Sequence, residues 1–184
     1  MRKIFLAITF FIIANSCKAQ IFPLRTYTQI PQQGYLKDTN NELQDYVGTW
    51  YGSWNNKTIL ISITKKINQY DSVLKYYKDF LIGKFKVTDS NGNILFDNTN
   101  LSDDNAKITG GKFRKVDNKY SLIYLDPDVC FMTGSIRIYF VDSTKMQLNW
   151  QFSDMTDIIT PDCPYYNANP FPQPLPANIV LTKQ

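Results

Sequence analysis

The chain has 184 residues and a formal net charge of +4, with 20 Lys and Arg residues against 16 Asp and Glu residues. It contains no histidine, which excludes Ser-His-Asp and Cys-His nucleophile systems and histidine-bearing zinc sites. A charge this small, without a concentrated basic run, does not predict nucleic-acid binding. The length suits one domain with a sizeable core.

The first nineteen residues have the pattern of an export signal. Arg2 and Lys3 precede an apolar run from Ile4 to Ile13, and small and polar residues follow. This run is shorter than the ~20 apolar residues that a membrane-spanning helix needs. We therefore predict that residues 1–19 are a signal peptide and that the protein is exported.

Two processing sites remain open from the sequence. Cleavage before Cys17, after the small residue Ser16, would allow lipid attachment at Cys17 and leave a net charge of +2. The lipid would hold the protein at a membrane surface of the cell envelope. Cleavage after Ala19 would leave Gln20 as the N-terminus, a net charge of +1 and a periplasmic or secreted protein. Membrane attachment is expected only through Cys17.

The chain has three cysteines, of which Cys17 is either lipidated or removed. Cys130 and Cys163 remain as an even pair in an oxidising compartment, so we predict a disulfide between them. Closing this loop should stabilise the fold by roughly 3 to 4 kcal/mol in the chain-entropy model.

Residues 20–45 are predicted to be an extended leader with a short helical turn, because the stretch from Gln20 to about Tyr35 is rich in Gln, Thr and Pro and shows no sustained period. The leader ends in "TNNELQDY". Thr39 and Glu42 have the spacing of a capping box, so we expect a short helical turn there with Thr39 as its cap.

Residues 46–184 alternate between apolar and polar residues with a period of two, the pattern of β-strands. The Asn91-Gly92 pair predicts a tight hairpin turn between two of them. The class is all-β, and the turn spacing predicts an antiparallel up-and-down meander of about eight strands closed into a barrel. The predicted strands are "TILISITK", "YKDFLIGKFKVT", "ILF", "KFRKV", "YSLIYL", "SIRIYFV", "KMQLNWQF" and "NIVLTK".

The stretch "GTWYGSW" opens this domain with Gly48, Trp50, Gly52 and Trp54 on one face of a strand. Glycine allows close backbone approach where neighbouring tryptophan rings fill the narrow end of a barrel. We therefore assign structural roles to Gly48, Trp50 and Gly52.

The segment "LQDYVGTWY" resembles the opening signature of the lipocalins, with Gly48, Trp50 and Tyr51 at the signature positions. The resemblance implies a lipocalin-like barrel in which Trp50 closes the floor. It also implies that a basic residue near the final strand covers this tryptophan, and Lys183 stands at that place.

The whole mature chain also resembles a family of small exported proteins from Bacteroidota, a domain of unknown function. The resemblance is carried by stretches such as "GTWYGSWNNKTI" and "VLTKQ". It implies export and architecture, and it implies no activity.

Aromatic side chains are the main candidates for a ligand site. Trp54, Phe85, Phe140 and Trp150 fall on predicted inward faces, where they would line a cavity for an apolar ligand. The alternative is that they fill the interior, since an eight-stranded barrel is just wide enough either to be packed or to hold one small molecule.

We expect a non-catalytic, exported barrel that binds a small hydrophobic ligand. A structural or protein-interaction lipoprotein of the envelope, whose partner is another envelope protein, is the alternative. A hydrolase with paired aspartates comes third, because the aspartates occur in turn-like contexts and no spacing selects a pair. No cofactor or metal is expected.

Overall fold

The computed structural model describes residues 20–156 and 159–184. The predicted signal peptide, residues 1–19 with Cys17, lies outside the described residues. The strands are β1 (Ile21–Pro23), β2 (Tyr35–Lys37), β3 (Gly48–Trp54), β4 (Lys57–Asp71), β5 (Tyr76–Asp89), β6 (Ile94–Asp97), β7 (Ile108–Phe113), β8 (Tyr120–Asp126), β9 (Met132–Phe140), β10 (Gln147–Asp154) and β11 (Asn178–Lys183). Short 3-10 helices cover Glu42–Tyr46, Asp103–Asn105 and Pro127–Val129.

Eight of these strands close into an antiparallel barrel, which confirms the predicted fold. The order around the barrel is β3, β4, β5, β7, β8, β9, β10 and β11, so the chain moves to the next strand at almost every step. The barrel closes where β11 pairs with β3, through Thr182 opposite Tyr51 and Lys183 opposite Trp50. One end, near Tyr46, is the floor, and the opposite end, near Trp54, is the mouth.

Strand β5 is paired with β4 on one edge and shares its other edge among three strands. It pairs with β2 toward the floor, with β7 at its middle and with β6 toward the mouth. Between β6 and β7, Asn98 forms the hydrogen bonds to Phe85 of β5 that a strand residue would otherwise form. Its amide N donates to the Phe85 carbonyl at 3.0 Å, and its side-chain oxygen accepts from the Phe85 N–H at 2.6 Å. The strands β6 and β7 therefore act as one interrupted strand.

The leader is tied to the barrel by a buried carboxylate. Asp79 of β5 is 3% exposed and accepts hydrogen bonds from the Tyr35 hydroxyl at 2.6 Å and the Asp38 N–H at 2.9 Å. These contacts hold β2, and through it β1, in parallel pairing beside β5. The leader thus extends the sheet by two short strands.

The predicted helical turn forms at Glu42–Tyr46, but the prediction that Thr39 caps it is wrong. The capping acceptor is Asp38, whose carboxylate oxygens accept from Glu42 N at 2.7 Å and Leu43 N at 3.0 Å. The Glu42 side chain does not reach back to the cap and instead accepts from Arg25 Nε at 2.8 Å. The reason is that the turn starts from Asn41 in the left-handed conformation, which brings the earlier Asp38 beneath the free amides.

The predicted strand "KFRKV" is also misplaced, because β7 runs from Ile108 to Phe113. Its centre is Gly110, a residue that weakens strand predictions. A Cβ at Gly110 would lie 2.5 Å from the Tyr120 hydroxyl and 2.7 Å from the Leu81 carbonyl oxygen. The glycine is therefore required by the close approach of neighbouring strands.

The barrel interior is filled by large apolar side chains from all around the wall. Gly52 permits part of this packing, since a Cβ there would lie 2.7 Å from side-chain atoms of Ile179 and Leu181. The largest fully buried residues of this core are Trp50, Trp150, Tyr120, Tyr124, Phe85, Phe113, Leu43, Ile59, Ile61, Leu81 and Ile108.

Candidate functional site

The floor of the barrel is built around Trp50. Its indole N–H donates to the Tyr46 carbonyl at 2.8 Å, and the Lys183 Nζ lies 5.3 Å from its ring centre. Lys183 Nζ also donates to the Asp45 carbonyl at 2.9 Å. Gly48 has a φ of +138°, and a Cβ there would lie 2.9 Å from the Lys183 side chain. The structure thus places Lys183 where the lipocalin resemblance implies a basic residue.

Phe140 belongs to this floor. Its ring stacks on Tyr46 with centroids 4.4 Å apart and lies 6.3 Å from the Trp50 ring. On the same floor, the Arg25 guanidinium lies 4.0 Å from the Phe113 ring centre. Sequence analysis missed Arg25, because nothing in the leader's pattern shows that it folds back over the barrel.

Phe85 and Trp150 are sealed in the interior, each with 1% exposure. Phe85 packs 6.1 Å from the Tyr124 ring, and the Trp150 indole N–H donates to the Pro176 carbonyl at 3.1 Å. Burial raises the pKa of Tyr124, and the hydrogen bond to Asp126 raises it further. These side chains act as core.

Trp54 and Phe140 are both partly exposed, but Phe140 lies at the floor and Trp54 lies at the mouth. It lines a groove of about 170 Å³ together with Met132, Phe152 and Leu175. Polar groups at the same groove come from Asn55, Asp154 and Gln173. The structure therefore does not bring the four predicted residues together, and of the four it is Trp54 that lines this groove.

The mouth is covered by residues 159–177, which we call the mouth segment. It is fastened by the disulfide between Cys130 and Cys163, whose Cα atoms are 5.5 Å apart, which confirms the predicted pairing. Leu175 is buried in the core, and the Pro176 carbonyl receives the Trp150 indole N–H. The proline-rich sequence after β10 is thus a fixed cover rather than a free loop.

A second groove, of about 440 Å³, lies on the other side of the mouth segment, and Gln173 lines both grooves. Sequence analysis did not single out its aromatic residues, although their placement between prolines in "PYYNANPFPQP" is a usable signal for an ordered, apolar cover. Its lining residues are Lys57, Leu95, Phe96, Tyr165, Pro170, Phe171, Pro172 and Gln173.

Several aspartates hold turns in place. The Asn93 side-chain amide donates to Asp89, and backbone amides of the Asn91-Gly92 hairpin donate as well, which lowers the pKa of Asp89. The Thr99 hydroxyl lowers the pKa of Asp97 in the same way. Within residues 20–156 and 159–184, no three His, Cys, Asp or Glu side chains form a group that could hold a metal ion.

A family comparison covers the whole chain. Residues 1–184 match a family of unknown function, DUF6705. The chain belongs to this family. No curated protein and no solved structure matches it. For this DUF6705 member, the part of the chain that the structure describes has no helix that is long and apolar enough to cross a membrane.

Proposed function

We propose that this DUF6705 protein is a non-catalytic binding protein that holds the apolar part of a small molecule in the groove beside Trp54. The observation that carries the proposal is the contrast in exposure among the aromatic residues. Trp54 is open at the mouth, while Phe85 and Trp150 are enclosed by packed side chains. A ligand would therefore bind at the mouth instead of deep in the barrel.

The size of the groove limits the ligand. A dry cavity of ~150 Å³ lined by apolar side chains accepts a molecule of the size of benzene, and this groove has about 170 Å³. The Met132 thioether adapts its shape to different apolar groups. Asp154 and Gln173 offer polar partners at the same groove. The chemistry fits an amphipathic molecule whose ring or short hydrocarbon chain lies against Trp54.

The groove is also preorganised. The disulfide at Cys163 and the hydrogen bond to the Pro176 carbonyl fix the mouth segment on both sides of Gln173. Binding to a fixed wall avoids the entropy cost of ordering a loop. This feature supports ligand binding more than a flexible interaction surface.

The experiment is a titration with N-phenyl-1-naphthylamine, an apolar probe that becomes fluorescent on binding, followed by competition with octanoate. We expect saturable binding that Trp54→Ala weakens about tenfold, since it removes one large wall of the groove. The matched control is Phe140→Leu at the floor, which should leave the affinity unchanged while circular dichroism shows the fold is kept. Absence of saturable binding, or equal weakening by both variants, would reject the proposal in favour of a structural or protein-interaction role.

We also propose that the protein is exported to the cell envelope or beyond it. The Cys130–Cys163 disulfide is compatible with an oxidising compartment. Mass spectrometry of the mature N-terminus tests this proposal. A lipid-modified Cys17 or a start at Gln20 is expected, whereas an unprocessed Met1 in the cytosolic fraction would contradict it.

A further inference from the structure

The hairpin of β4 and β5 reaches past the barrel floor. The last pair between β3 and β4 joins Gly48 and Ile63, and the first pair between β5 and β7 joins Ile82 and Thr109. Residues 64–79, which we call the hairpin arm, therefore pair with neither β3 nor β7, and Lys66 at the base of the arm contacts Asp103. Eight residues of β4 in this arm correspond to about 25 Å of strand.

The hairpin arm exposes apolar side chains near its turn. Val73 is 85% exposed, Ile67 59%, Leu74 49% and Tyr70 46%. Among the described residues, no other large apolar side chain is as exposed as Val73. Single exposed apolar residues are ordinary, but a group of four within eight residues marks an interaction surface.

This exposure belongs to a well-fixed turn. The Asp71 carboxylate accepts from the N–H groups of Val73 and Leu74 at 3.0 and 2.9 Å, and the Asp71 carbonyl accepts from Lys75 N at 2.7 Å. The Gln33 N–H donates to the Lys75 carbonyl at 2.9 Å and ties the turn to the leader. The conformation of the turn that carries Val73 and Leu74 is thus fixed by hydrogen bonds within the turn and by one hydrogen bond from the leader.

Ile21, the first residue of β1, lies at the same end of the molecule as the turn of the hairpin arm. Strand β1 is parallel to β2, and β2 is parallel to β5, so Ile21 is the end of β1 nearest the hairpin turn. Ile21 lies opposite Tyr35 and Tyr35 opposite Tyr77, which places Ile21 two strand spacings, about 10 Å, from Tyr77. Cys17 is only three residues before Gln20, and three residues span at most about 10 Å.

From this geometry we propose that the tip of the hairpin arm contacts a lipid bilayer, with Val73 and Leu74 entering its interfacial region. The partner fits because the apolar tip lies at the same end of the molecule as the start of β1, and the sequence just before β1 contains a cysteine suited to lipid attachment. Lys75 forms no ion pair among the described residues and is placed to face anionic headgroups.

A second contact has a physical purpose. A lipid at Cys17 would attach the protein to the bilayer through the leader, but it would not fix the orientation of the barrel. The hairpin arm would orient the barrel, with its floor toward the bilayer and its mouth away from it. This inference is independent of ligand binding, because it concerns the opposite end of the barrel.

The test uses the full chain with Val73→Trp and vesicles of phosphatidylethanolamine and phosphatidylglycerol in which part of the lipid carries brominated acyl chains. Bromine quenches tryptophan on contact; the native Trp50 and Trp150 are enclosed in the core, and the partly exposed Trp54 lies at the opposite, mouth end. We expect loss of most of the emission that Val73→Trp adds. The matched control is Ile94→Trp, an exposed apolar site in a strand at the mouth end, whose added emission should be retained.

Three results would overturn the proposal. The first is a chain that does not co-sediment with the vesicles, and the second is equal quenching of the tryptophans introduced by Val73→Trp and Ile94→Trp. The third is shielding of the Val73→Trp emission without vesicles and in proportion to protein concentration, because the tip would then be covered by a second copy of the chain.

Discussion

The Lys183 ammonium lies 5.3 Å from the centre of the Trp50 ring and joins the last strand of the barrel to its floor. The same Nζ donates to the Asp45 carbonyl at the end of the helical turn, and the turn's Tyr46 carbonyl receives the Trp50 indole N–H. One cation therefore connects the helical turn, the first barrel strand and the final strand.

Replacing Lys183 by Met should keep the aliphatic stem but remove the cation–π contact and the hydrogen bond to Asp45. We expect a loss of about 1 kcal/mol in the free energy of unfolding, measured by urea denaturation. Lys183→Arg should keep most of this stability, since the guanidinium retains both interactions. A Met variant as stable as the wild type would show that the cation is not part of the closure.

Gly110→Ala should destabilise the barrel by about 2 kcal/mol or more, because a Cβ would meet the Leu81 backbone and the Tyr120 hydroxyl. The neighbouring Gly111→Ala is the control, since its nearest contact is the Ser121 hydroxyl at 3.0 Å, which can move. Thermal and urea unfolding of the two variants measures the difference. Equal stabilities would contradict the close approach of β7 to β5 and β8.

Removing the disulfide should lower the free energy of unfolding by about 3 to 4 kcal/mol, as the chain-entropy model gives for a bridge between residues 33 apart. The mouth segment should also loosen, so that acrylamide quenches Trp54 emission more strongly in the folded protein. The variant carries Cys130→Ser and Cys163→Ser, and dithiothreitol should not affect it further. Wild-type quenching that dithiothreitol leaves unchanged would indicate that other contacts alone hold the segment.

Alkaline pH should destabilise the fold through buried tyrosines. Burial raises the pKa of Tyr46 to about 12, whereas an unfolded tyrosine titrates near 10. The folded state therefore keeps its proton longer, and stability is lost as the pH rises from about 10 to 12. Tyr46→Phe should match the wild type at pH 7 and lose about 1 kcal/mol less at pH 11, as measured by urea unfolding at each pH. Parallel losses in both proteins would show that Tyr46 does not contribute.

Period-two alternation was sufficient to predict the barrel, since it reports which face of a strand a residue occupies. It does not report the height of that residue along the barrel axis, which depends on strand register. For this reason Trp54 and Phe140 share an inward face but lie at opposite ends. Pairing across the sheet also decides which acceptor reaches a free amide, so Asp38, not Thr39, caps the turn.

The mouth segment shows a second limit of sequence patterns. Its prolines indicate a stiff connection, but only the three-dimensional fold shows that Leu175 enters the core and that the Pro176 carbonyl meets Trp150. The groove beside Trp54 depends on these long-range contacts. Of the residues that line this groove, the sequence therefore predicted only Trp54 as a ligand contact.

Closure of the barrel by its first and last strands determines when the protein can fold. The pairing of Tyr51 with Thr182 joins strands that are far apart in the sequence, and such contacts are slow to form. Until β11 is in place, β3 and β10 each present an unpaired edge on which another chain can assemble. A variant that lacks β11 (Asn178–Lys183) should therefore aggregate through these two exposed edges.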